Sequence, residues 1–322
     1  MGVAVFFLIA VATAIVLTPV LGPIGVRLGL VDRPGELKIH HAPIPVIGGA
    51  AVLAATFLAL VLAGQVDAWV AAAGCVALGG GLIDDLRPLP PWARIVVQVV
   101  AGSLLVAGGL RLEPLGGFSG VFLVLATVAC CNAVNMVDGQ DGLATGLGVI
   151  AATGIASVLA TIGVGTAVPL ALAGALLGFL AWNWPTARAF LGDGGAYAVG
   201  VLLVASGANA TAVGWHGLLA VGACLGVFAY ELISTIVRRL GSAAPAIHGD
   251  RDHSYDRIGE RLGSRNGATL VMWVLGLVTS LIGLAVVEMQ PLSGAALMVL
   301  IVLVVATLEA RLLLDPIAKE DR

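Results

Sequence analysis

Residues 118–144, FSGVFLVLATVACCNAVNMVDGQDGLA, decide the fold class, because a hydrophobic stretch of membrane-spanning character runs directly into a polar cluster. The cluster places Asn132, Asn135, Asp138 and Asp141 within ten positions. An aspartate at the centre of a bilayer costs about 2.5–3.5 kcal/mol on insertion scales. A cluster of this kind beside a membrane span therefore indicates a functional site.

The composition of the whole chain is that of an integral membrane protein. Of its 322 residues, 59% are hydrophobic and 11% are charged, whereas soluble globular proteins are about 25% charged. The net charge of −3 says little about partners, and we expect no nucleic-acid partner. The four cysteines lie in apolar segments without C-x-x-C spacing, so we expect them to be packing residues.

Apolar runs close to the 20 or so residues that a membrane span requires recur along the chain. They predict an all-α, polytopic membrane protein that forms a single domain over residues 1–322, and we expect the N-terminal run to be retained as the first span. The predicted transmembrane helices, about 11 in number, lie near residues 3–22, 46–64, 68–83, 94–110, 118–136, 143–162, 165–182, 195–212, 215–236, 268–288 and 292–312.

Basic residues sort onto one side of this topology. With alternate loops on opposite sides, one side receives all of the 16 Lys and Arg residues except Arg111. The positive-inside rule makes that side cytoplasmic, with the N-terminus outside and the C-terminus in the cytoplasm. The polar loops lie on the same side, at residues 27–45, 84–93, 132–142, 183–194 and 238–266.

The one-sided distribution bears on the class of function. A transporter usually places polar groups near the bilayer midplane, where they are reachable from both sides. Polar groups at the inner interface favour an enzyme that meets a soluble and a lipid substrate at the cytoplasmic face of the cell membrane. A transporter that uses the acidic cluster for cation movement is the alternative.

Asp84 and Asp85 end the third predicted span, and Arg94 opens the next helix. Two adjacent carboxylates can serve together as a base or bind a cation. A solvated helix end is the alternative interpretation of the acidic pair, and an ordinary positive-inside residue is the alternative for Arg94.

Asn135, Asp138 and Asp141 recur at every third position, which places them in neighbouring sectors at a helix end and allows them to converge on one cavity. Their oxygen atoms suit Mg²⁺, which typically binds through one or two carboxylates plus substrate phosphates. A capped loop between two spans is the alternative.

Two later loops add further candidates. Asp193 lies just before the span at 195–212, where it could bind a ligand or cap the helix N-terminus. Arg251 and His253 belong to a loop whose cationic groups could bind a diphosphate. No nucleotide-binding or serine-nucleophile motif is evident, so the residues favour Mg²⁺-dependent phosphoryl transfer, which relies on positioning and charge neutralisation.

Five motifs, in this order, resemble the polyprenyl-phosphate N-acetylhexosamine-1-phosphate transferases, membrane enzymes that initiate many cell-envelope polymers. The resemblance covers nearly the whole chain and favours the undecaprenyl-phosphate GlcNAc-1-phosphate branch over the muramoyl-pentapeptide branch. The motifs are Lys38–His40 with Pro43–Pro45 and Gly48–Gly49, Asp84–Asp85, Asn132–Ala144, Phe190–Asp193 with Gly200, and Arg238–Arg239 followed by Asp250–His253.

The resemblance implies that a UDP-N-acetylhexosamine gives its sugar-1-phosphate to polyprenyl phosphate, with UMP as the second product. It implies Mg²⁺ as cofactor, with Mn²⁺ as a substitute, and by analogy a homodimer. The implied roles are metal binding for Asp193 and Asn135, catalysis for Asp84 and Asp85, phosphate binding for Lys38 and Arg94, and nucleotide-sugar binding for Asp138, Asp141, Phe190, Arg251 and His253.

Four positions depart from the family pattern. Leu37 stands where a basic residue is frequent, Pro88 replaces an acidic or basic residue after the aspartate pair, Glu231 replaces an aspartate, and Tyr255 stands where many relatives continue with histidine. The missing His-rich segment argues against the muramoyl-pentapeptide branch. These departures leave an inactive family member as a further alternative.

Overall fold

A computed structural model describes residues 3–33, 42–241 and 253–289, and these segments are almost entirely α-helical. Two short 3₁₀ segments lie at Glu113–Phe118 and Asn209–Val213, and β1 (Val31–Asp32) pairs antiparallel with β2 (Ile44–Pro45). The helices are α1 (Val3–Leu28), α2 (Gly48–Ala63), α3 (Ala68–Leu86), α4 (Pro91–Ala107), α5 (Ser119–Val137), α6 (Leu143–Thr161), α7 (Ala167–Asn183), α8 (Gly192–Ala208), α9 (Trp215–Cys224), α10 (Gly226–Gly241), α11 (Ser254–Leu262) and α12 (Arg265–Glu288).

The helices have the length and composition of a multi-pass membrane protein. Within the described segments, six helices are long and apolar enough to cross a membrane, or seven if the bent pair α9–α10 forms one span. The apolar helices α2, α4 and α7 are shorter. The all-α class is confirmed, whereas the number of about 11 spans and their orientation stay predictions. The predicted span at 292–312 lies outside the described residues.

Two details differ from the sequence prediction. The predicted span at 215–236 is broken at Leu225 into α9 and α10, which meet at a bend of 75°. Gly222 and Gly226 flank the break, and glycine weakens a helix interior. The predicted loop at 238–266 contains the polar helix α11, which apolar-run counting does not detect because its hydrophobic residues occupy one narrow face.

Helix α8 forms the centre of the bundle. Every residue from Gly194 to Ala208 is buried, and the neighbouring helices approach through glycine. A Cβ on Gly81 of α3 would collide with the Gly194 backbone, and one on Gly49 of α2 would collide with Gly195. Glycine permits such close packing where helices associate in lipid.

The helix directions bring three other helix ends to the start of α8. α3, α5 and α7 all finish at the end where α8 starts, so their C-terminal residues and the connections that follow lie around Gly192 and Asp193. The polar residues of the sequence motifs occupy these connections. The candidate site is therefore built from segments that are far apart in the sequence.

Candidate active site

The first turn of α8 receives its capping group from another helix. The Asp85 carboxylate, near the end of α3, accepts hydrogen bonds from the backbone N–H groups of Asp193 at 2.9 Å and Gly194 at 3.1 Å. Gly192 has φ +76°, and a Cβ there would lie 2.9 Å from an Asp85 carboxylate oxygen. Such a carboxylate is stabilised by the hydrogen bonds and by the helix dipole. Asp85 therefore fixes the backbone that carries Asp193.

Both carboxylate oxygens of Asp84 are paired. Oδ1 accepts from the Leu89 N–H at 2.7 Å, while Oδ2 lies 2.8 Å from Nε of Arg94 and accepts from the Tyr197 hydroxyl at 3.2 Å. The Asp84 side chain is fully buried, whereas 36% of the Arg94 side chain is exposed. A buried ion pair is tolerated when further hydrogen bonds satisfy its polar atoms. Asp84 thus holds Arg94 at the edge of the site.

Asn135 brings the end of α5 to the same place. Its side-chain amide donates a hydrogen bond to the Asp193 carboxylate, and the Asp84 carboxylate is near enough to repel that of Asp193. A half-turn of the Asn135 amide would present its oxygen instead of its nitrogen. Asp193 and Asn135 can therefore offer oxygen atoms to one cation.

Asp138 completes the acidic cluster from the turn that follows α5. Its carboxylate is half-buried, and the backbone N–H of Gly192 acts to lower its pKa. Burial raises the pKa of Asp138, and the neighbouring carboxylates of Asp193 and Asp85 raise it further. A cation near these groups would oppose that shift.

Asp141 and Asn183 hold the connection between α7 and α8. Asp141 Oδ2 accepts from the Ala187 N–H at 3.0 Å. Asn183 donates to the Ala189 carbonyl at 3.0 Å and accepts from the Gly142 N–H at 3.1 Å. Of the three polar residues expected to converge on one cavity, Asp141 therefore faces this connection, and the other two face the start of α8.

Phe190 lies where the same connection meets β2. Its N–H donates to the Pro45 carbonyl at 3.0 Å, and its carbonyl accepts from the Gly48 N–H at 2.9 Å. These bonds complete the start of α2 and fix the backbone of Phe190 three residues before Asp193. The Phe190 ring is half-buried, so part of its surface can meet a ligand.

His253 and Tyr255 approach the site from α11. His253 Nδ1 lies 3.6 Å from Oε2 of the buried Glu231 and 3.4 Å from Oγ1 of Thr235. The His253 and Tyr255 rings stack with centroids 5.2 Å apart, and the Tyr255 hydroxyl donates to the Met136 carbonyl at 3.1 Å. Burial raises the pKa of Tyr255. Tyr255 therefore connects α11 to the acidic turn.

The four carboxylates at the start of α8 concentrate negative charge, and Arg94 pairs with one of them. Within the described segments, no set of three or more His, Cys, Asp or Glu side chains has the arrangement of a metal site. Zinc sites are built from three or four protein ligands. Mg²⁺ often takes only one or two carboxylates and completes its shell with water and substrate phosphates. The carboxylate and amide oxygens of this cluster are of the kind that could provide those one or two ligands.

The structure thus distributes the predicted residues over three groups. One cluster contains Asp84, Asp85, Arg94, Asn135, Asp138 and Asp193. Asp141, Phe190 and His253 lie in the connections and the helix around it, while Lys38 and Arg251 lie outside the described residues.

Sequence reasoning assigned no role to two residues that the geometry brings to the site. Tyr197 contacts Asp84, and Asn183 holds the connection before Phe190. The spacing of Tyr197, four residues after Asp193 within an apolar helix, places both side chains on one face. Asn183 ends an apolar helix, where a polar residue carries no distinctive signal.

Comparison with known proteins agrees with this geometry. Residues 68–211 match the model of the family described as glycosyl transferase family 4. That range contains Asp84, Asp85, Arg94, the Asn132–Ala144 run and Asp193. The match therefore covers the acidic cluster and the helices that hold it.

Similar proteins cover almost the whole chain. The decaprenyl-phosphate N-acetylglucosaminephosphotransferase of Mycobacterium tuberculosis is 31% identical over 94% of this chain and 88% of its own length. A probable undecaprenyl-phosphate N-acetylglucosaminyl 1-phosphate transferase of Bacillus subtilis is 25% identical over 87% of this chain and 83% of its own. A phospho-N-acetylmuramoyl-pentapeptide-transferase of Desulforudis audaxviator is 33% identical over 86% of this chain and 97% of its own.

Proposed function

This chain belongs to glycosyl transferase family 4, and from that premise we propose that it transfers N-acetylhexosamine-1-phosphate from a UDP-sugar to polyprenyl phosphate. An oxygen of the polyprenyl phosphate forms a bond to the sugar-bearing phosphorus, and the bond from that phosphorus to UMP breaks. The products are a polyprenyl-diphosphate sugar and UMP. The observation that carries the proposal is the convergence of four carboxylates and Arg94 at the start of α8.

Asp193 and Asn135 would hold Mg²⁺, or Mn²⁺ in its place, because their side chains meet and a half-turn of the Asn135 amide would turn its oxygen to the same cation as the Asp193 carboxylate. When bound, the ion supplies charge neutralisation for the phosphates and for the leaving UMP. The half-buried Asp138 lies in the turn that follows α5, and from there it would face the same cation.

The Asp84–Asp85 pair serves the acceptor side of the reaction. Asp85 fixes the backbone of Asp193, and Asp84 orients Arg94, so the two carboxylates act here mainly by placing other groups. The exposed part of Arg94 would bind an acceptor phosphate oxygen, together with Lys38 by resemblance. Proper placement of two charged substrates is the principal demand of phosphoryl transfer.

The donor would lie against the connection between α7 and α8 and the turn after α5. Asp141 and Phe190 are fixed there through the backbone contacts of that connection. Phe190 offers an aromatic surface to the uracil base, and His253, with Arg251 by resemblance, would bind the diphosphate. The names of the similar proteins, which contain N-acetylglucosamine, support an N-acetylhexosamine donor.

We extend the proposal to the membrane topology. About 11 spans, an outside N-terminus and a cytoplasmic C-terminus would place the acidic cluster at the cytoplasmic face of the cell membrane. Residues 1–322 would form one domain, and a homodimer is proposed by analogy with the family. A cysteine introduced at Arg188 should react with an impermeant thiol reagent only from the cytoplasmic side, and one at Arg111 only from the outside.

The activity is tested with purified protein in nanodiscs that contain polyprenyl phosphate. UDP-GlcNAc, UDP-GalNAc, UDP-linked diamino sugars and UDP-muramoyl-pentapeptide are supplied in turn with Mg²⁺, and released UMP is measured. We expect UMP release with an N-acetylhexosamine donor, and none without polyprenyl phosphate or with excess EDTA. Folded protein that releases no UMP from any of these donors would contradict the proposal.

A further inference from the structure

Tyr197 lies one helical turn after Asp193 on the central helix α8. Only 2% of its surface is exposed, and its hydroxyl donates to Oδ2 of Asp84 at 3.2 Å. Its backbone carbonyl accepts from the thiol of Cys131 at 3.3 Å, which keeps this turn of α8 against α5. The hydroxyl therefore reaches the acidic cluster from within the bundle.

The hydroxyl matters because Arg94 Nε has a second acceptor besides Asp84. Nε lies 2.8 Å from Oδ2 of Asp84 in an ion pair, and it donates a hydrogen bond to the Leu89 carbonyl at 3.1 Å. Asp84 Oδ1 is already held by the Leu89 N–H at 2.7 Å. Tyr197 supplies a second donor to Oδ2. Hydrogen bonds to charged groups are stronger than neutral ones, and this one fixes the plane of the carboxylate.

We infer that Tyr197 is a positioning residue for the acceptor phosphate: its hydroxyl orients the Asp84 carboxylate, which in turn orients the Arg94 guanidinium. The inference rests on the proposed function, because it treats Arg94 as a phosphate-binding group. A buried tyrosine hydroxyl usually finds a partner, but a bond to a backbone carbonyl would meet that need. Here the partner is the carboxylate that holds the partly exposed Arg94.

The test is Tyr197→Phe, which keeps the ring and removes the hydroxyl. We expect the KM for polyprenyl phosphate to rise about tenfold, the size expected for one lost hydrogen bond to a charged group, while the KM for the UDP-sugar changes by less than about twofold. Tyr197→Met also lacks the hydroxyl and should show the same selective loss. The test therefore does not depend on a single substitution.

Ser206→Ala is the matched control. Ser206 is buried on the same helix, and its hydroxyl donates to the Leu202 backbone carbonyl at 2.7 Å. We expect no change in either KM. If Tyr197→Phe and Tyr197→Met behave like Ser206→Ala, or raise both KM values equally, the positioning role is wrong.

A double-mutant cycle with Arg94→Lys separates positioning from packing, because lysine lacks the Nε–H. In the Arg94→Lys background, the further effect of Tyr197→Phe on the acceptor KM should shrink to less than about twofold. Fully additive effects would overturn the inference while leaving the proposed function intact. Failure of the wild-type protein to release UMP would overturn both.

Discussion

The two ends of α8 are both held by side chains from outside the helix, but the chemistry of those side chains differs. At the start, the Asp85 carboxylate accepts from two backbone N–H groups. At the far end, the Thr211 hydroxyl donates to the Ala208 carbonyl at 2.7 Å and lies 3.1 Å from the Arg111 carbonyl, and it accepts from the Glu113 N–H at 3.1 Å. A neutral hydroxyl thus suffices to tie one end to its neighbours.

The comparison with the far end shows that the start of α8 carries more charged groups than are needed to hold a helix end in place. Asp84, Asp138 and Asp193 surround Asp85, and each added carboxylate raises the electrostatic energy of the others. Capping the backbone N–H groups of α8 needs only the Asp85 carboxylate and not the repulsion among four carboxylates. Departures from the lowest-energy local choice concentrate at functional sites, which supports the proposal that the acidic end carries the chemistry.

The largest expected effect comes from Asp193→Asn. The amide keeps the size of the side chain and removes the charge that would hold Mg²⁺. We expect UMP release to fall about 10³-fold, in line with the loss of a group that stabilises transition-state charge, with little change in thermal unfolding. UMP release in nanodiscs measures the loss. Turnover close to that of the wild type would remove Asp193 from the metal site and weaken the contrast between the two ends.

Gly81→Ala should have the next largest effect. Its Cβ would collide with the backbone of Gly194, so α3 must move away from the start of α8 and carry Asp84 and Asp85 with it. A displacement of about 1 Å can cost about 100-fold in rate, and we expect a loss of that size. Gly79→Ala is the control on the same helix, because a Cβ there has open space. Equal activity of the two variants would show that this contact does not place the carboxylates.

The helices were predictable from the sequence because apolar runs report burial in lipid directly. Each predicted span up to 195–212, and the one at 268–288, coincides with one apolar helix, including the short third one. The break at Leu225 was not predictable, because a bend leaves the hydrophobicity of a run unchanged. Helix α11 was missed for the opposite reason, since it is polar and its length resembles that of a loop.

The sequence predicted which residues belong to the site, but it could not predict which groups those residues contact. Its members were found because charged and amide groups are rare in this chain, yet their partners depend on distant segments. Asp141 and Asp138 have similar surroundings in the sequence, but Asp141 accepts from the Ala187 N–H, whereas Asp138 lies near the carboxylates of Asp193 and Asp85. The spacing of Tyr197 from Asp193 was its one signal in the sequence, because a tyrosine in an apolar helix is ordinary. Only the packing of α8 against α3 gives its hydroxyl a carboxylate partner.

Asp85→Asn sharpens the comparison, because it keeps an acceptor for the backbone at the start of α8 and removes the negative charge of Asp85. The amide oxygen can still accept one of the two backbone hydrogen bonds, so we expect a loss of about 1–2 kcal/mol in unfolding free energy and a roughly tenfold fall in kcat as Asp193 shifts. Asp67→Asn is the control, because Asp67 caps α3 by accepting from the Trp69 and Val70 N–H groups at 2.8 and 2.9 Å. Both bonds end on Oδ1, and the asparagine amide keeps an oxygen there, so we expect a smaller stability loss and an unchanged kcat. A fall in kcat for Asp67→Asn would mean that capping itself, anywhere in the bundle, limits activity.

Thr211→Val tests the neutral end and should have the smallest effect on activity. Valine keeps the branched shape but removes the hydroxyl, so the Glu113 N–H and the Arg111 carbonyl lose their partner. We expect unfolding free energy to fall by about 1–2 kcal/mol, measured by denaturant or thermal unfolding in detergent, with kcat and both KM values within about twofold of the wild type. The hydroxyl holds α8 to its neighbours but touches no charged group, so its loss should alter the stability of the bundle and leave the carboxylate geometry intact. A clear fall in kcat with little change in stability would show that the two ends of α8 are coupled through the helix, and that the charged end is not an independent unit.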